Sequence, residues 1–498
     1  MAIGSILVGR FLGSELYGQY TLTLVIPQIL LIFTDLGINQ GIIKFTASLR
    51  ARDENERITK IIKYGTLLKT AVGIAIFIAS YALTDLLTPL FLQRPELSPY
   101  IKIASASIVF QAVFTTVTSA FIGLDRAEYN AFTTTIHAIS KTTISVTLIL
   151  LGFSLTGAVM GHVASLIIAT AISILLLLPI TRGKPNVKNN HNVSEDLKTL
   201  IRYGAPLYIS SLLIGFIPLY KNMLLAIFTT DIEIGNYKAA LNFTALMTVL
   251  SAPITTTLLP AFSKLNSTAN RKVKDFFKIA NKYTAMIIMP VTCLIIIFSK
   301  EIVQFIYGAT YQSAPKYLAL YCLIYFLVGI GYLTLTSLYN GLGETKKTMK
   351  ISLVTFIVLA TLSLPLTKAY GVQGLIIAYI IANTMGTLYG AYIAKKDFQI
   401  EFDKKSIAKI YLISAASSIP PATLLSSIPL HGIFKIAVGG TLYLIGYLTL
   451  MPLTKTVVPH EIQKAEYIMK KIKILEIIAR PLLKYQRRIL SMMQFLNI

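Results

Sequence analysis

The sequence predicts an all-α polytopic membrane protein with about fourteen transmembrane helices. Three observations predict this class: 54% of the residues are hydrophobic, only 14% are charged, and apolar runs long enough to cross a membrane recur along the chain. A soluble globular protein carries roughly 25% charged residues. The 46 Lys and Arg against 22 Asp and Glu are divided among short loops between apolar runs. We therefore expect this positive charge to face the cytoplasmic membrane surface, and we expect no nucleic-acid partner.

The predicted spans form two groups of six, followed by two more. The first group lies near residues 1–10, 17–35, 62–83, 101–121, 129–151 and 156–180. The second group lies near residues 203–228, 237–262, 280–298, 316–338, 350–367 and 371–394, and the last two spans lie near 406–425 and 432–452. Between the first two spans, Gly13 and Gly18 are expected to permit a tight reversal of the chain.

An internal repeat relates the two groups of six spans. At an offset of 217 residues, Gly18 and Tyr20 meet Gly235 and Tyr237. Because six is an even number, the two halves are expected to run parallel about an axis along the membrane normal. The predicted divisions are an N-terminal lobe at 1–180, a cytoplasmic linker at 181–200, a C-terminal lobe at 201–396, two additional helices at 397–453 and a basic amphipathic tail at 454–498.

The loops carry their basic residues unevenly. Lys and Arg collect after the even-numbered spans, as in the segments 44–63 and 264–278, whereas the alternate loops hold few. The positive-inside rule then places both termini in the cytoplasm.

The tail beyond residue 454 is too charged to cross a membrane. Its apolar residues fall on one helical stripe, with most lysines off it: Ile468, Ile472, Leu475, Ala479 and Leu482. This pattern predicts an interfacial helix on anionic membrane lipids, broken at Pro481. A solvated cytoplasmic tail is the alternative.

The first span is short. Arg10 follows Met1 by only nine residues, a length of about 15 Å as a helix, which is half of the hydrocarbon thickness. The repeat predicts an equivalent span of about 25 residues, so we expect roughly fifteen or more further residues upstream of Met1. The alternative is a half-length first helix.

Several cations fall inside or at the ends of predicted spans, where a charge is a functional candidate by default. Lys69 is expected in the inner third of its span, Lys141 near mid-depth, and Lys221 and Arg10 toward the outer side. His137 shares a helical face with Lys141. The alternatives are pairing with a buried carboxylate or extension to the membrane interface, especially for Lys69 and Arg10.

Two further sets of residues are candidates for function. Asp35 lies at the end of the second span, where it is expected to pair with Arg10 or a neighbouring lysine as a gate, or to bind a coupling cation. Four tyrosines of the tenth span follow helical spacing, and they either stack on sugar rings or pack: Tyr321, Tyr325, Tyr332 and Tyr339. Neither the two cysteines nor the five histidines show metal-ligand spacing, so no metal or cofactor is predicted.

Three motifs resemble those of a known family. They are Arg10-Phe-Leu-Gly-Ser-Glu-Leu-Tyr-Gly-Gln-Tyr with the following Asp35-Leu-Gly, Tyr307-Gly-Ala-Thr-Tyr311, and Gly341-Leu-Gly-Glu-Thr-Lys346. Their order and spacing resemble those of the corresponding motifs in the polysaccharide and oligosaccharide flippases. These flippases belong to the multidrug/oligosaccharidyl-lipid/polysaccharide exporter superfamily. The resemblance covers nearly the whole chain.

The resemblance implies two six-helix lobes around a central cavity, with alternating access to either side of the cell membrane. It implies a transporter, not an enzyme, that moves polyprenyl-phosphate or polyprenyl-diphosphate linked sugars. We expect the protein to be a monomer. On this reading the substrate-binding cations are Arg10, Lys69, His137, Lys141 and Lys221. The alternative is a cation or drug antiporter of the multidrug and toxin extrusion (MATE) type, whose cavity is expected to carry carboxylates instead. A membrane glycosyltransferase is disfavoured because the longest polar loops have only about 20 residues, too few for an extramembrane catalytic domain.

Overall fold

The computed structural model of the chain describes residues 2–181, 208, 212, 215–265, 270–427, 432–463 and 473–495. These residues form helices and connecting turns, with no strand among them. The contacts divide the chain into two compact units. The first comprises Met1–Asn242 with Thr367–Val372, and the second comprises Phe243–Leu366 with Gln373–Ile498. The predicted linker at 181–200 lies almost wholly outside the described residues, so the lobe boundary stays a prediction.

The helices up to the unit boundary, which falls within α10, are α1 (Ala2–Thr23), α2 (Val25–Ile32), α3 (Ile38–Arg50), α4 (Asn55–Leu92), α5 (Ser98–Ser105), α6 (Ser107–Gly123), α7 (Ala127–Leu148), α8 (Ser154–Thr181), α9 (Gly215–Phe228) and α10 (Asp231–Ser263). The helices that follow are α11 (Asn270–Ile297), α12 (Ser299–Tyr307), α13 (Ala314–Cys322), α14 (Thr334–Gly341), α15 (Thr345–Phe398), α16 (Lys404–Ala416), α17 (Ile419–Ser427), α18 (Gly432–Leu453) and α19 (Lys473–Phe495).

The described residues include seven helical segments long and apolar enough to cross a membrane, or eight if the bent pair α13–α14 counts as one span. Two of the seven have 54 residues, about 80 Å of helix, so neither can cross a 30 Å layer only once. The total of fourteen spans stays a prediction, but the all-α multi-pass class is confirmed.

Both long segments fold back at a glycine. The backbone leaves the helix at Gly152 (φ 92°) in the segment α7–α8 and at Gly371 (φ 56°) in α15. Close contacts then join residues on either side of each break: Gly161 lies against Ser145, and Gly386 lies against Thr355. Because only glycine adopts these backbone angles without strain, each glycine makes a hairpin of two helices.

The structure corrects three local predictions. The backbone leaves the helical conformation at Gly13 (φ 78°) alone, while Gly18 lies inside the helix that follows. The tenth predicted span is not one helix, because a 3₁₀ segment, Leu323–Ile330, and Gly331 (φ 97°) separate α13 from α14 with a bend of 48°. In the tail, α19 runs through Pro481 without a break.

Each unit has an apolar core at the ends of its helices. In the first unit, Ile42 of α3, Ile62 of α4 and Phe121 of α6 belong to one buried cluster. In the second unit, Phe277 of α11 and Phe398 of α15 belong to another. The core of the first unit packs together α3, α4 and α6, which carry Asn39, Lys69 and Thr115.

Candidate functional site

Lys69 of α4 lies at the centre of a buried polar cluster in the first unit. Its side chain is only 1% exposed. The Lys69 Nζ atom donates hydrogen bonds to Asp35 Oδ1 at 3.2 Å, to Asn39 Oδ1 at 3.0 Å and to Thr115 Oγ1 at 3.3 Å. Lys69 therefore has the buried carboxylate partner that sequence reasoning offered as an alternative, and its charge is neutralised within the protein.

The backbone explains how Asp35 reaches Lys69. Helix α2 ends at Ile32 and α3 begins at Ile38, with Leu36 (φ 45°) and Gly37 (φ 82°) in the left-handed region between them. The break turns Asp35 inward, where its Oδ1 atom also accepts a hydrogen bond from the Asn39 N–H at the start of α3. The sequence Asp-Leu-Gly signals such a break, because glycine tolerates the left-handed conformation.

A second cluster of cations joins α9 and α10 within the first unit. Lys221 is 9% exposed, and the adjacent Asn222 accepts a hydrogen bond from Lys238 Nζ at 2.7 Å. The Lys238 and Lys221 ammonium groups lie within electrostatic reach of each other. Sequence reasoning missed Lys238, because it lies at the predicted start of the eighth span, where a lysine is ordinary.

Lys141 of α7 faces α1. Its Nζ atom lies 6.0 Å from the centroid of the Tyr20 ring, within the range of a cation–π contact. Among the described residues, Lys141 has no carboxylate partner. His137, one turn earlier, is 5% exposed, its ring centroid lies 5.6 Å from that of Phe114, and neither ring nitrogen makes a hydrogen bond. His162 of α8, which sequence reasoning did not select, lies within electrostatic reach of both.

Arg10 is exposed on α1, three residues before the break at Gly13. The contacts that the structure gives for Lys69, Lys141 and Lys238 do not include it. The candidate substrate-binding residues therefore do not form one group in the described first unit. Lys69 is neutralised by Asp35, Lys141 lies near His137, and Lys221 lies near Lys238.

The four tyrosines do not share one helical face, which corrects the prediction from their spacing. Tyr321 stacks on Tyr379 with ring centroids 5.4 Å apart, and Tyr325 meets Tyr332 edge to face at 6.4 Å. Tyr339 is fully buried and donates a hydrogen bond to the Gly390 carbonyl at 2.7 Å. The 3₁₀ segment and Gly331 rotate the chain between these residues, so Tyr339 packs in the core of the second unit.

A third polar contact in the first unit holds the turn before α10. Arg94 Nε donates to Asp231 Oδ1 at 2.8 Å, and its other nitrogens donate to the carbonyls of Thr229 and Ala226. Gln19 Nε2 also donates to Asp231, at 3.1 Å. Sequence reasoning counted Arg94 only as a loop charge, because its partner lies 137 residues away in the chain.

Comparison with known proteins assigns the chain to a family. A family model described as "Polysaccharide biosynthesis protein" matches residues 1–266, more than half of the chain. The chain belongs to this family. The recognised resemblance is thereby confirmed. No curated protein sequence matches the chain.

Solved structures show the same fold as this polysaccharide biosynthesis protein. The lipid II flippase MurJ, in an inward closed conformation, is 18% identical with a TM-score of 0.71, over 91% of this chain and 95% of MurJ. An inward-facing multidrug resistance MATE family transporter of the MOP superfamily is 17% identical with a TM-score of 0.61, over 80% and 93%. The Vibrio cholerae MATE transporter VcmN, in its bent form, is 16% identical with a TM-score of 0.52, over 82% and 93%. The protein therefore has the fold of these membrane transporters.

Proposed function

We propose that the protein is a flippase, not an enzyme, that moves polyprenyl-phosphate or polyprenyl-diphosphate linked oligosaccharides or polysaccharide repeat units across the cytoplasmic membrane by alternating access. The observation that carries the proposal is the pair Lys221 and Lys238, two neighbouring ammonium groups in apolar helices. Neighbouring ammonium groups repel each other, and a bound anion offsets that repulsion.

The charge balance of the first unit supports an anionic substrate. Asp35 neutralises Lys69, and Asp231 neutralises Arg94. Within the part of the chain that the structure describes, Lys141 and Lys238 have no carboxylate partner. A phosphate or diphosphate group supplies the acceptor oxygens and negative charge that these ammonium groups need. Moving a lipid-linked sugar across the membrane breaks no covalent bond, so the site needs no nucleophile or general base.

Two comparisons support the substrate class. The family is one of polysaccharide biosynthesis, and MurJ, which shares the fold, is a lipid II flippase. The alternative, a MATE-type cation or drug antiporter, shares the fold at a lower TM-score. Its cationic cargo would be repelled by Lys141, Lys221 and Lys238.

The test replaces Lys141, Lys221 and Lys238 singly with alanine and measures translocation of lipid-linked oligosaccharide in cells that lack their own flippase. Because a hydrogen bond to a charged group is worth about 1.5–3 kcal/mol, we expect each loss to slow translocation about tenfold or more. Arginine at the same positions should be milder because the charge is kept.

Lys60→Ala is the matched control, since Lys60 is a half-exposed lysine that pairs with Glu56 on one helix. It should translocate at the wild-type rate. Protein level and membrane insertion are measured for every variant. Wild-type translocation by all three alanine variants would refute the proposal, and efflux of organic cations by the wild type would support the antiporter.

We also infer that anionic membrane lipids bind α19. Arg480, Lys484, Arg487 and Arg488 are exposed and fall within one stripe of about 100° on this helix. Leu482, Tyr485 and Met492, 39% to 51% exposed, form a second stripe beside it. Basic and apolar stripes side by side are typical of helices that lie in the interface of an anionic membrane.

A further inference from the structure

The oxygen atoms around Lys69 have the composition of a site for a metal cation. They are one carboxylate oxygen from Asp35, one amide oxygen from Asn39 and one hydroxyl oxygen from Thr115, all 3.0–3.3 Å from Nζ. Oxygen donors of these kinds bind hard cations such as Na⁺, K⁺ and Ca²⁺. The three residues come from the turn after α2, from α3 and from α6, so the site is built by tertiary packing.

The position of this oxygen cage also fits a cation site. It lies at the interruption between α2 and α3, and interrupted helices with unwound backbone are where membrane transporters bind coupling cations. Two of its three oxygens also make hydrogen bonds that do not involve the Lys69 side chain. Asp35 Oδ1 accepts from the Asn39 N–H, and Thr115 Oγ1 donates to the Gln111 carbonyl at 3.0 Å.

The single negative charge of the oxygen cage favours a monovalent over a divalent cation. Asp35 is the only carboxylate that the structure places in hydrogen-bond contact with Lys69. One negative charge in a buried site is balanced by one positive charge, whereas a divalent ion would leave an uncompensated charge in a medium of low dielectric constant.

We propose that this cage is a monovalent-cation site whose cation is part of the chain: the Lys69 ammonium occupies the position of a bound Na⁺ or K⁺. A tethered ammonium cannot dissociate, so this site neither loads nor releases an ion. The negative charge of Asp35 at the break between α2 and α3 is thus balanced without a metal ion. The proposal does not depend on the substrate of the protein.

The test removes the tethered cation and supplies a free one. Lys69→Ala protein is purified, and its melting temperature Tm is measured in NaCl, KCl and choline chloride at equal ionic strength. We expect a Tm below that of the wild type in choline chloride. Na⁺ or K⁺ should raise it in a saturable manner, because an ion that binds only the folded state stabilises it by mass action. The wild type should show the same Tm in all three salts.

Two controls separate a site-bound ion from a general salt effect. Lys102→Ala removes a lysine from the ion pair with Asp85, whose side chain is 66% exposed, so its Tm should not depend on the cation. The double variant Lys69→Ala with Asp35→Asn lacks the carboxylate and should lose the response to Na⁺ and K⁺.

A Lys69→Ala protein that folds but shows equal Tm values in the three salts would overturn the proposal. If that variant is not recovered in choline chloride, it is prepared in NaCl and in KCl, together with Lys69→Ser, whose shorter polar side chain leaves room for an ion. Recovery of either variant only with Na⁺ or K⁺ supports the proposal. Failure of both variants in all salts contradicts it, because a free ion should then replace the ammonium.

Discussion

Gly18 and Gly235 show how single residues set the packing of the first unit. A Cβ atom on Gly18 would lie 1.9 Å from the Asp231 carbonyl oxygen, and one on Gly235 would lie 1.8 Å from the Ser14 carbonyl oxygen. The contact is reciprocal: Gly18 is equivalent to Gly235, and Ser14 to Asp231, at the offset of 217 residues that the predicted repeat gives. A two-fold relation between the segments would produce this reciprocity, although the repeat itself stays a prediction.

At this scale we expect Gly18→Ala and Gly235→Ala to destabilise the protein. The added methyl group meets backbone, which cannot rotate away, so the helices must separate at a cost of about 1–3 kcal/mol. The measurement is Tm of the purified protein. Gly440→Ala is the control, because a Cβ at this helical position meets no atom within 4 Å. Equal Tm values for all three variants would show that α1 and α10 do not pack as described.

Buried lysines could be found in the sequence, but the sequence left open which partner each of them contacts. Lys69, Lys141 and Lys221 stand out because a charge within an apolar run is costly. Sequence reasoning made all three candidates for lining a cavity, and it offered a buried carboxylate partner as an alternative, especially for Lys69. The structure separates them, because Asp35 is brought to Lys69 by a helix break, whereas Lys221 is brought near Lys238 by the packing of α9 on α10.

At the scale of elements, α19 contacts α18 through Tyr485 of its apolar stripe, and its basic residues with Leu482 and Met492 stay exposed. Tyr485 Oη lies 2.8 Å from Thr449 Oγ1 of α18, and Gln486 is buried. The loop after α18 is also anchored, since Lys282 of α11 pairs with Glu461 at 2.8 Å. The exposed basic and apolar stripes are therefore held in a fixed orientation.

We expect a tryptophan placed in this apolar stripe to contact lipid. The chain has no tryptophan, so Leu482→Trp provides a single fluorescent reporter. In vesicles, brominated phosphatidylglycerol should quench it more strongly than brominated phosphatidylcholine, because the basic stripe attracts anionic lipid by about 1 kcal/mol per residue.

Leu442→Trp provides the comparison, since Leu442 is 38% exposed on the membrane-spanning α18 and should be quenched equally by both lipids. Replacing Arg480, Lys484, Arg487 and Arg488 with glutamine should remove the lipid preference at Leu482→Trp. Fluorescence quenched by neither lipid would favour a solvated tail.

At the scale of the whole molecule, the predicted topology makes the loops distinguishable from outside the cell. It places 229–236 and 300–313 outside and 181–199, 264–278 and 397–405 in the cytoplasm. Thr230 and Gln312 are exposed positions of the first set, and Lys264 and Glu401 are exposed positions of the second.

In a protein whose two buried cysteines, Cys293 and Cys322, are replaced by alanine, single cysteines at these four positions test the topology. An impermeant maleimide added to intact cells should label Thr230→Cys and Gln312→Cys only. All four should react after the membrane is permeabilised. Labelling of Lys264→Cys in intact cells would show that the predicted orientation is wrong.

The sequence by itself determined the all-α membrane class and the family, because hydrophobic length and short turn motifs are local properties of the chain. It also determined the fold-back points near residues 152 and 371, where polar or glycine-containing segments separate two apolar runs.

Only the tertiary structure decided where helices break within an apolar run, as at Gly331, and which side chains meet. Partners such as Lys69 and Asp35 are 34 residues apart, and Arg94 and Asp231 are 137 apart. Their pairing follows from helix packing, because the low dielectric constant of the interior makes the energy of each charge depend on the groups that packing brings to it.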